Sequence, residues 1–184
     1  MWHQLNEVLS LEPNSVLELG PGPGLFKQMV KAFGTRVETL DIDPELNPDH
    51  VGSATEMPFK DESFDVVCAF QVLEHLPYDM TLKAFSEMAR VGKKNIVISL
   101  PDAKTMWRYL FHVPKFGEIQ ILIPRPRLRP LVHVFDGEHY WEINKRGYPL
   151  SRIIDDLTVQ GTRILRTYRV KEYPYHRLFI FEIN

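Results

Sequence analysis

The sequence predicts an α/β fold, a doubly wound and mostly parallel sheet of seven strands that ends in an antiparallel C-terminal hairpin. Three observations carry this. Strand-like and helix-like patterns alternate over residues 15–100. The run Phe64–Phe70 is almost continuously apolar, as expected of a central strand covered on both faces. Two β-type runs, residues 162–171 and 177–183, follow each other around Tyr173-Pro174-Tyr175 with no helical pattern between them. A chain of 184 residues suits one domain, residues 1–184, with a core that needs no disulfide or metal staple.

Taken in order, Ser15–Leu19 reads as a short buried strand and residues 24–33 as a helix stopped by Gly34. Arg36–Asp41 is a second strand that runs into the acidic segment Asp41-Ile42-Asp43-Pro44, and residues 50–52 make a third, very short one. Phe64–Phe70 is the fourth. Residues 80–90 have helical spacing, with Leu82, Phe85, Met88 and Ala89 on the core side and Asp79 placed to cap the first turn. Residues 95–100 form a fifth strand, stopped by Pro101. The alternation then breaks. Residues 101–144 hold Pro114, Pro124, Pro126, Pro130 and many aromatic residues, which predicts an irregular substrate-side insertion or lid. Helical spacing returns over residues 148–157, ahead of the two final strands.

Composition is that of an ordinary globular protein with a net charge of -2. The charges are unevenly spread: residues 1–92 carry 6 Lys or Arg against 15 Asp or Glu, and residues 93–184 carry 16 against 9. The second half therefore either favours an anionic substrate or simply balances an acidic first half. The one cysteine, Cys68, lies in an apolar strand, which excludes an internal disulfide and suits a reducing compartment. Residues 1–4 show no basic-then-apolar secretion signal, and Arg108, His112, Pro114, Lys115 and Glu118 break the apolar stretch at 106–123 too often for a membrane span. The expected location is the cytoplasm, with no membrane partner.

Chemistry concentrates in Val16-Leu17-Glu18-Leu19-Gly20-Pro21-Gly22-Pro23-Gly24-Leu25-Phe26. A strand passes through three alternating glycines into a helix, so backbone can approach a ligand closely where a Cβ would clash. The free N–H groups of the helix start face the same point. No Gly-Lys-Ser/Thr follows, which excludes a phosphate P-loop. Dinucleotide folds want G-x-G-x-x-G, whereas this turn is G-x-G-x-G stiffened by Pro21 and Pro23. Glu18 repels a pyrophosphate and can receive an ammonium, so the residues favour a cofactor with an amino-acid tail over NAD.

That heptad, Glu18 to Gly24, resembles motif I of the class I S-adenosylmethionine-dependent methyltransferases. Leu40-Asp41-Ile42-Asp43 is similar to the acidic end of the family's second strand. Residues 53–59, followed by 61–67, resemble its adenine loop and fourth strand, and Gln71-Val72-Leu73-Glu74-His75-Leu76 resembles the loop after that strand in the small-molecule, type 11-like members. The resemblance covers residues 15–100 and, more loosely, the C-terminal helix and hairpin. It implies a Rossmann-like fold and S-adenosyl-L-methionine as cofactor. Glu18 and the turn Gly20, Pro21, Gly22 and Gly24 would hold the methionine moiety. Asp41 would bind both ribose hydroxyls, Ile42 would pack on the adenine, and Ala54, Thr55 and Glu56 would read its edge. Gln71 would pass the sulfonium. Ser53 stands where the family usually has an acid.

His75 and His139 are the catalytic candidates. A sulfonium methyl needs an in-line acceptor more than activation, and a base matters when the acceptor is a hydroxyl. His75 also reads as a packing histidine at a helix start. Some family members, among them small-RNA 3′-end and ubiquinone-pathway O-methyltransferases, place a Glu-x-x-Glu-His block and a later histidine around a divalent metal. Here Gln71 replaces the first carboxylate and Glu138-His139-Tyr140-Trp141-Glu142 resembles the later segment, and no metal is assigned. Trp107, Tyr109, Phe111, Phe116, Tyr140 and Trp141 either wall an acceptor site or form a satellite core. Arg125, Arg127 and Arg129, within the Arg-Pro segment 124–130, either clamp an anionic group or lie solvated. The expected function is methyl transfer to an O, N or C atom of a small molecule. RNA methylation and an inactive cofactor-binding regulatory subunit are the alternatives, with nucleic acid disfavoured by the lack of a broad basic excess. The sequence leaves the acceptor and the oligomeric state open.

Overall fold

The computed structural model describes residues 1–115, 117–127, 129, 131–135, 137–158 and 161–184. Among them the elements are α1 (Trp2–Leu9), β1 (Ser15–Leu19), α2 (Leu25–Ala32), β2 (Arg36–Asp41), β3 (His50–Val51), β4 (Phe64–Phe70), α3 (Tyr78–Val91), β5 (Gly92–Pro101), β6 (Met106–Val113), β7 (Gly117–Pro124), α4 (Leu150–Thr158), β8 (Thr162–Arg169) and β9 (His176–Ile183). Seven strands form one sheet in the order β3-β2-β1-β4-β5-β9-β8. β1 pairs in parallel with β2 and β4, β4 with β5, and β9 runs antiparallel to both β5 and β8. The expected sheet, with its antiparallel finish, is present.

The apolar runs of the central strands have a simple cause. Alternate residues feed two cores, one on each face of the sheet. Leu17, Leu19, Val67, Ala69, Ile96, Ile98, Phe179 and Phe181 pack against Phe85 and Met88 of α3 and Ile153 and Leu157 of α4. Val16, Val66, Cys68, Val97, Leu178 and Ile180 pack against Leu5 and Val8 of α1 and Phe26 and Val30 of α2. Cys68 is the buried small hydrophobe its sequence context implies.

Three details depart from the sequence-based expectation. α1 has no counterpart in it. That helix is held by buried Glu7, which accepts a bond from Tyr168 Oη at 2.6 Å and pairs with Arg166, both on β8. α3 starts two residues early, with Pro77 rather than Asp79 at the cap position, and Asp79 falls in the first turn, where its charge favours the helix dipole. Residues 106–124 are regular rather than irregular: β6 and β7 pair antiparallel over eight residues each, as a separate two-stranded sheet. Pro114 lies in the connecting turn and Pro124 and Pro126 at or past the end of β7, so no proline interrupts the ladder. Pro130 and Phe116 lie outside the described residues.

The end of β5 is anchored by a buried charge group. Asp102 is paired with Arg169 and, through Oδ2 at 2.8 Å, with Nε of Arg177, and its Oδ1 accepts from Asn144 Nδ2 at 2.6 Å. Removing a buried partner leaves uncompensated charge. Asp102→Ala is therefore expected to lower unfolding stability by about 3 kcal/mol, measured by urea denaturation. A loss below roughly 1 kcal/mol, the scale of an exposed pair, would mean that both guanidinium groups regain water on their own.

Candidate functional site

β1 to β3 run outward to one edge of the sheet, and the chain then crosses back to place β4 beside β1. Reversal of strand order opens a crevice beyond the carboxyl ends of these strands. It is a cleft of about 390 Å³, lined by Gly20 and Gly22 after β1, Asp41 and Ile42 after β2, Gly52, Ser53 and Ala54 after β3, and Gln71, Val72 and His75 after β4.

Its floor is the glycine turn. Gly20, Gly22 and Gly24 all have positive φ, at 64°, 50° and 72°. Gly20 also leaves no room for a side chain, because an added Cβ would lie 2.5 Å from Val72 Cγ2. At Gly22, which lines both the cleft and a neighbouring groove, a Cβ would meet nothing within 4 Å. Gly24 lies at the start of α2, in a neighbouring groove with Pro23 and Lys27. Pro21, whose carbonyl closes the turn on Gly24 N–H at 2.9 Å, does not line the cleft.

Glu18 lies on β1, two residues before Gly20, and does not line the cleft. It is 3% exposed on the fully buried strand β1, opposite Thr39 and Cys68 on the flanking strands. Its Oε2 has no hydrogen-bond partner among the described residues. Burial pushes its carboxyl up to about 8, against the opposing charge of Lys27. An unpaired buried carboxyl of this kind is costly, and an arriving ammonium would supply its missing partner. At the rim, Asp41 is half-buried, and its Oδ1 is fixed by the backbone N–H of Asp43 at 2.9 Å. Ile42 beside it is 75% exposed, an apolar surface without a protein neighbour to cover it.

Gln71 ends β4 with a positive φ of 57°, an uncommon and strained conformation for a residue with a side chain. Its backbone N–H reaches Ser99 O at 3.0 Å and its Nε2 reaches Ser99 Oγ at 3.1 Å, which together hold it at the cleft wall. Thr55 and Glu56 do not line the cleft. Thr55 N–H bonds back to Ser53 Oγ at 3.2 Å, and this tight turn leaves Gly52, Ser53 and Ala54 facing inward instead. Ser53, which the resemblance places in the adenine loop, lines the cleft, and so does Gly52, which the sequence reads only as the end of the short third strand.

The catalytic candidates do meet. Tyr140 N–H donates to Glu74 O at 2.9 Å, which lays segment 138–140 over the turn after β4. The rings of His75 and His139 then lie 5.0 Å apart, edge to face. His75 Nδ1 is 3.1 Å from the carbonyl of Glu138. A carbonyl only accepts, so Nδ1 carries the proton and Nε2 is left as the basic nitrogen of the neutral ring. Glu74 beneath them is fully buried with both carboxyl oxygens lacking a hydrogen bond among the described residues, and burial together with the charge of Glu142 pushes it up to about 8. Ligand atoms of Glu74, His75 and His139 all lie within 4.8 Å of one another, close enough to share a cation.

The aromatic candidates separate. Trp141 is 1% exposed, donates its indole N–H to Thr81 Oγ1 at 3.1 Å and packs on Tyr78, so it is core rather than acceptor wall. Trp107, Tyr109 and Phe111 stand on the β6–β7 hairpin and none lines the cleft. Tyr140 stays half-exposed next to the histidines.

Residues 17–99 match the sequence model of the methyltransferase domain family, the span that holds the glycine turn, Asp41 and Gln71. That span is 83 of the chain's 184 residues, and over it the chain is similar to methyltransferases. Solved structures similar to it in fold include S-adenosylmethionine-dependent methyltransferases. An uncharacterised methyltransferase of Mycobacteroides abscessus is 24% identical over 81% of this chain and 57% of its own length. The chain spans about half the length of the curated relatives it matches. A methyltransferase structure from Mesorhizobium loti superposes with a TM-score of 0.67 at 13% identity, over 98% of this chain and 96% of that one. The 1,6-didemethyltoxoflavin-N1-methyltransferase of Burkholderia thailandensis, solved with bound 1,6-didemethyltoxoflavin and S-adenosylhomocysteine, superposes with a TM-score of 0.62 at 13% identity, over 98% of this chain and 75% of that one. Among the described residues, no helix is long and apolar enough to cross a membrane.

Proposed function

We propose that this chain moves the sulfonium methyl of S-adenosylmethionine to an O, N or C atom of a small-molecule acceptor. The observation that carries the reading is Glu18, a buried carboxyl with an unpartnered oxygen just before a glycine turn that has open space at Gly22. A cofactor with an ammonium tail fits both features. When bound, S-adenosylmethionine supplies an electrophilic methyl group.

The chain's own residues supply the rest. Glu18 would receive the ammonium, and the backbone at Gly20 and Gly22 would border the methionine tail. Asp41 would orient the ribose, Ile42 would cover one adenine face, and Gly52, Ser53 and Ala54 would border the adenine edge. Gln71, tethered to Ser99, holds the wall beside the sulfonium. His75 takes the acceptor's proton on Nε2, and His139 packs against it and keeps the ring in place. Support for a small acceptor comes from the 1,6-didemethyltoxoflavin-N1-methyltransferase of similar fold, solved with 1,6-didemethyltoxoflavin bound. The lone buried Cys68 is consistent with a reducing compartment, the cytoplasm in this reading.

Transfer of labelled methyl into a metabolite extract and, separately, into RNA tests the proposal. Label in small molecules supports it. Label in RNA alone replaces it with an RNA methyltransferase, and cofactor binding without transfer to either replaces it with a regulatory subunit. With a hydroxyl acceptor, His75→Ala is expected to lower kcat by roughly a hundredfold, the usual scale of a lost general base. An unchanged kcat would return His75 to a packing role. Calorimetric titration with Mg²⁺, Mn²⁺ and Zn²⁺ is expected to show no heat. A signal that His139→Ala removes would replace the acid–base pair with a metal held by Glu74, His75 and His139.

A further inference from the structure

The β6–β7 hairpin is the largest feature that the proposed chemistry does not use. Cross-strand pairing places Trp107 opposite Ile123, Tyr109 opposite Ile121, Phe111 opposite Ile119 and Val113 opposite Gly117. All seven side chains therefore share one face, and it contains no polar residue. Trp107, Tyr109, Phe111, Ile119, Ile121 and Ile123 are each 43–49% exposed. The reverse face is polar in part and is the one tied to the body, through Arg108 Nη1 on Glu172 O at 2.6 Å and Gln120 Nε2 on Lys171 O at 2.7 Å. An exposed apolar ribbon of this size on a protein surface marks a contact with something else.

Charge says what that is. At the foot of the hairpin, Lys104, Arg125, Arg127 and Arg129 line one groove of about 510 Å³, and Lys115 stands in the turn at its tip. The only acid on either strand, Glu118, lies on the reverse face beside His112. Both ends of the apolar face are thus basic. A second copy stacked on it, in either direction, would bring lysine or arginine against lysine or arginine. A bilayer with anionic headgroups meets the same pattern favourably: aromatic and aliphatic side chains enter the boundary of the acyl region, while the flanking cations meet lipid phosphates.

We propose that this hairpin docks the enzyme onto an anionic membrane surface, with the face from Trp107 to Ile123 inserted at the interface and the Lys104–Arg125–Arg127–Arg129 groove on headgroup phosphate. Stable docking takes two signals, an apolar one and a basic one, and the hairpin supplies both. A ribbon lying in the interface needs no spanning helix, and none among the described residues is long and apolar enough to be one. The inference stands independently of which acceptor the cleft takes.

Sedimentation with vesicles of phosphatidylcholine, alone or mixed with phosphatidylglycerol, tests it on the full chain. The chain is expected to partition onto the mixed vesicles and to be released by high salt. Arg125→Gln/Arg127→Gln/Arg129→Gln is expected to weaken that partition by roughly a hundredfold, since each cation near such a surface contributes comparably. Ile119→Asp/Ile121→Asp is expected to abolish it with cofactor binding retained. A chain that stays in the supernatant with mixed vesicles at low salt overturns the proposal, as does equal sedimentation of the Ile119→Asp/Ile121→Asp variant. A lipid-free dimer in analytical ultracentrifugation that the same variant dissociates also overturns it, because a second copy then covers the face.

Discussion

Asp41→Ala is expected to weaken S-adenosylmethionine binding by roughly a hundredfold with the fold intact. A carboxylate that accepts from two hydroxyl groups makes two charge-assisted bonds, each about 1.5–3 kcal/mol. Even the lower figure for both gives about 3 kcal/mol, which is somewhat more than two decades in affinity. The position favours a clean result. Asp41 ends β2 at the rim of the cleft, its Oδ1 is already held by Asp43 N–H, and it is only half-buried, so alanine leaves no orphaned group in the core. Asp41→Asn, which keeps one acceptor oxygen, should fall between. Calorimetry on the three proteins measures this, and an affinity unchanged by alanine would remove Asp41 from the site.

The second large effect is a pH dependence that belongs to Glu18. Burial raises its folded-state carboxyl from about 4.5 to about 8, with Lys27 opposing the rise. The group must be ionised to receive an ammonium, so cofactor binding below that value expels a proton. Affinity should therefore rise by roughly tenfold per pH unit as pH approaches about 8, and level off above it. Glu18→Gln removes the slope, and the remaining ion pair with the ammonium is lost as well. The stability of the ligand-free chain runs the other way. For a carboxyl raised on folding, the folded state binds more protons than the unfolded chain between about 4.5 and about 8. The associated stability is complete below the lower value and lost as pH rises through the upper one, and Glu74 adds a second group with the same sign. A pH-independent affinity in the parent, or a slope that survives in Glu18→Gln, would assign the proton elsewhere.

What could be read from sequence is what short-range spacing records. β1 and β4 announce themselves because each alternate residue serves one of two cores, leaving no polar face. Glu18, Gly20, Gly22 and Asp41 are legible because strand, turn, helix and strand fall within 26 residues of Val16, and Gln71 because it ends the apolar run of β4. The failures are tertiary in origin. α1 is recognisable through Glu7, whose partners Arg166 and Tyr168 lie at the other end of the chain. Trp141 looks like a binding aromatic until Thr81 and Tyr78 enclose it. The hairpin carried a period-two signal in Trp107, Tyr109 and Phe111, but the prolines around it outweighed that signal because their places beyond the strand ends are visible only once the strands are paired. The meeting of His75 with His139 depends on contacts between segments distant in sequence, among them Tyr140 N–H on Glu74 O and His75 Nδ1 on Glu138 O.

The central claim is that the cleft beyond the end of β1 holds a cofactor with an amino-acid tail and not a dinucleotide. Calorimetric titration of the purified chain with S-adenosylmethionine and with NAD decides this most directly. Saturable, micromolar binding of S-adenosylmethionine, with no heat from NAD and no displacement by it, is the predicted result. NAD binding in competition with S-adenosylmethionine, or no binding of S-adenosylmethionine at pH 8, would contradict the account.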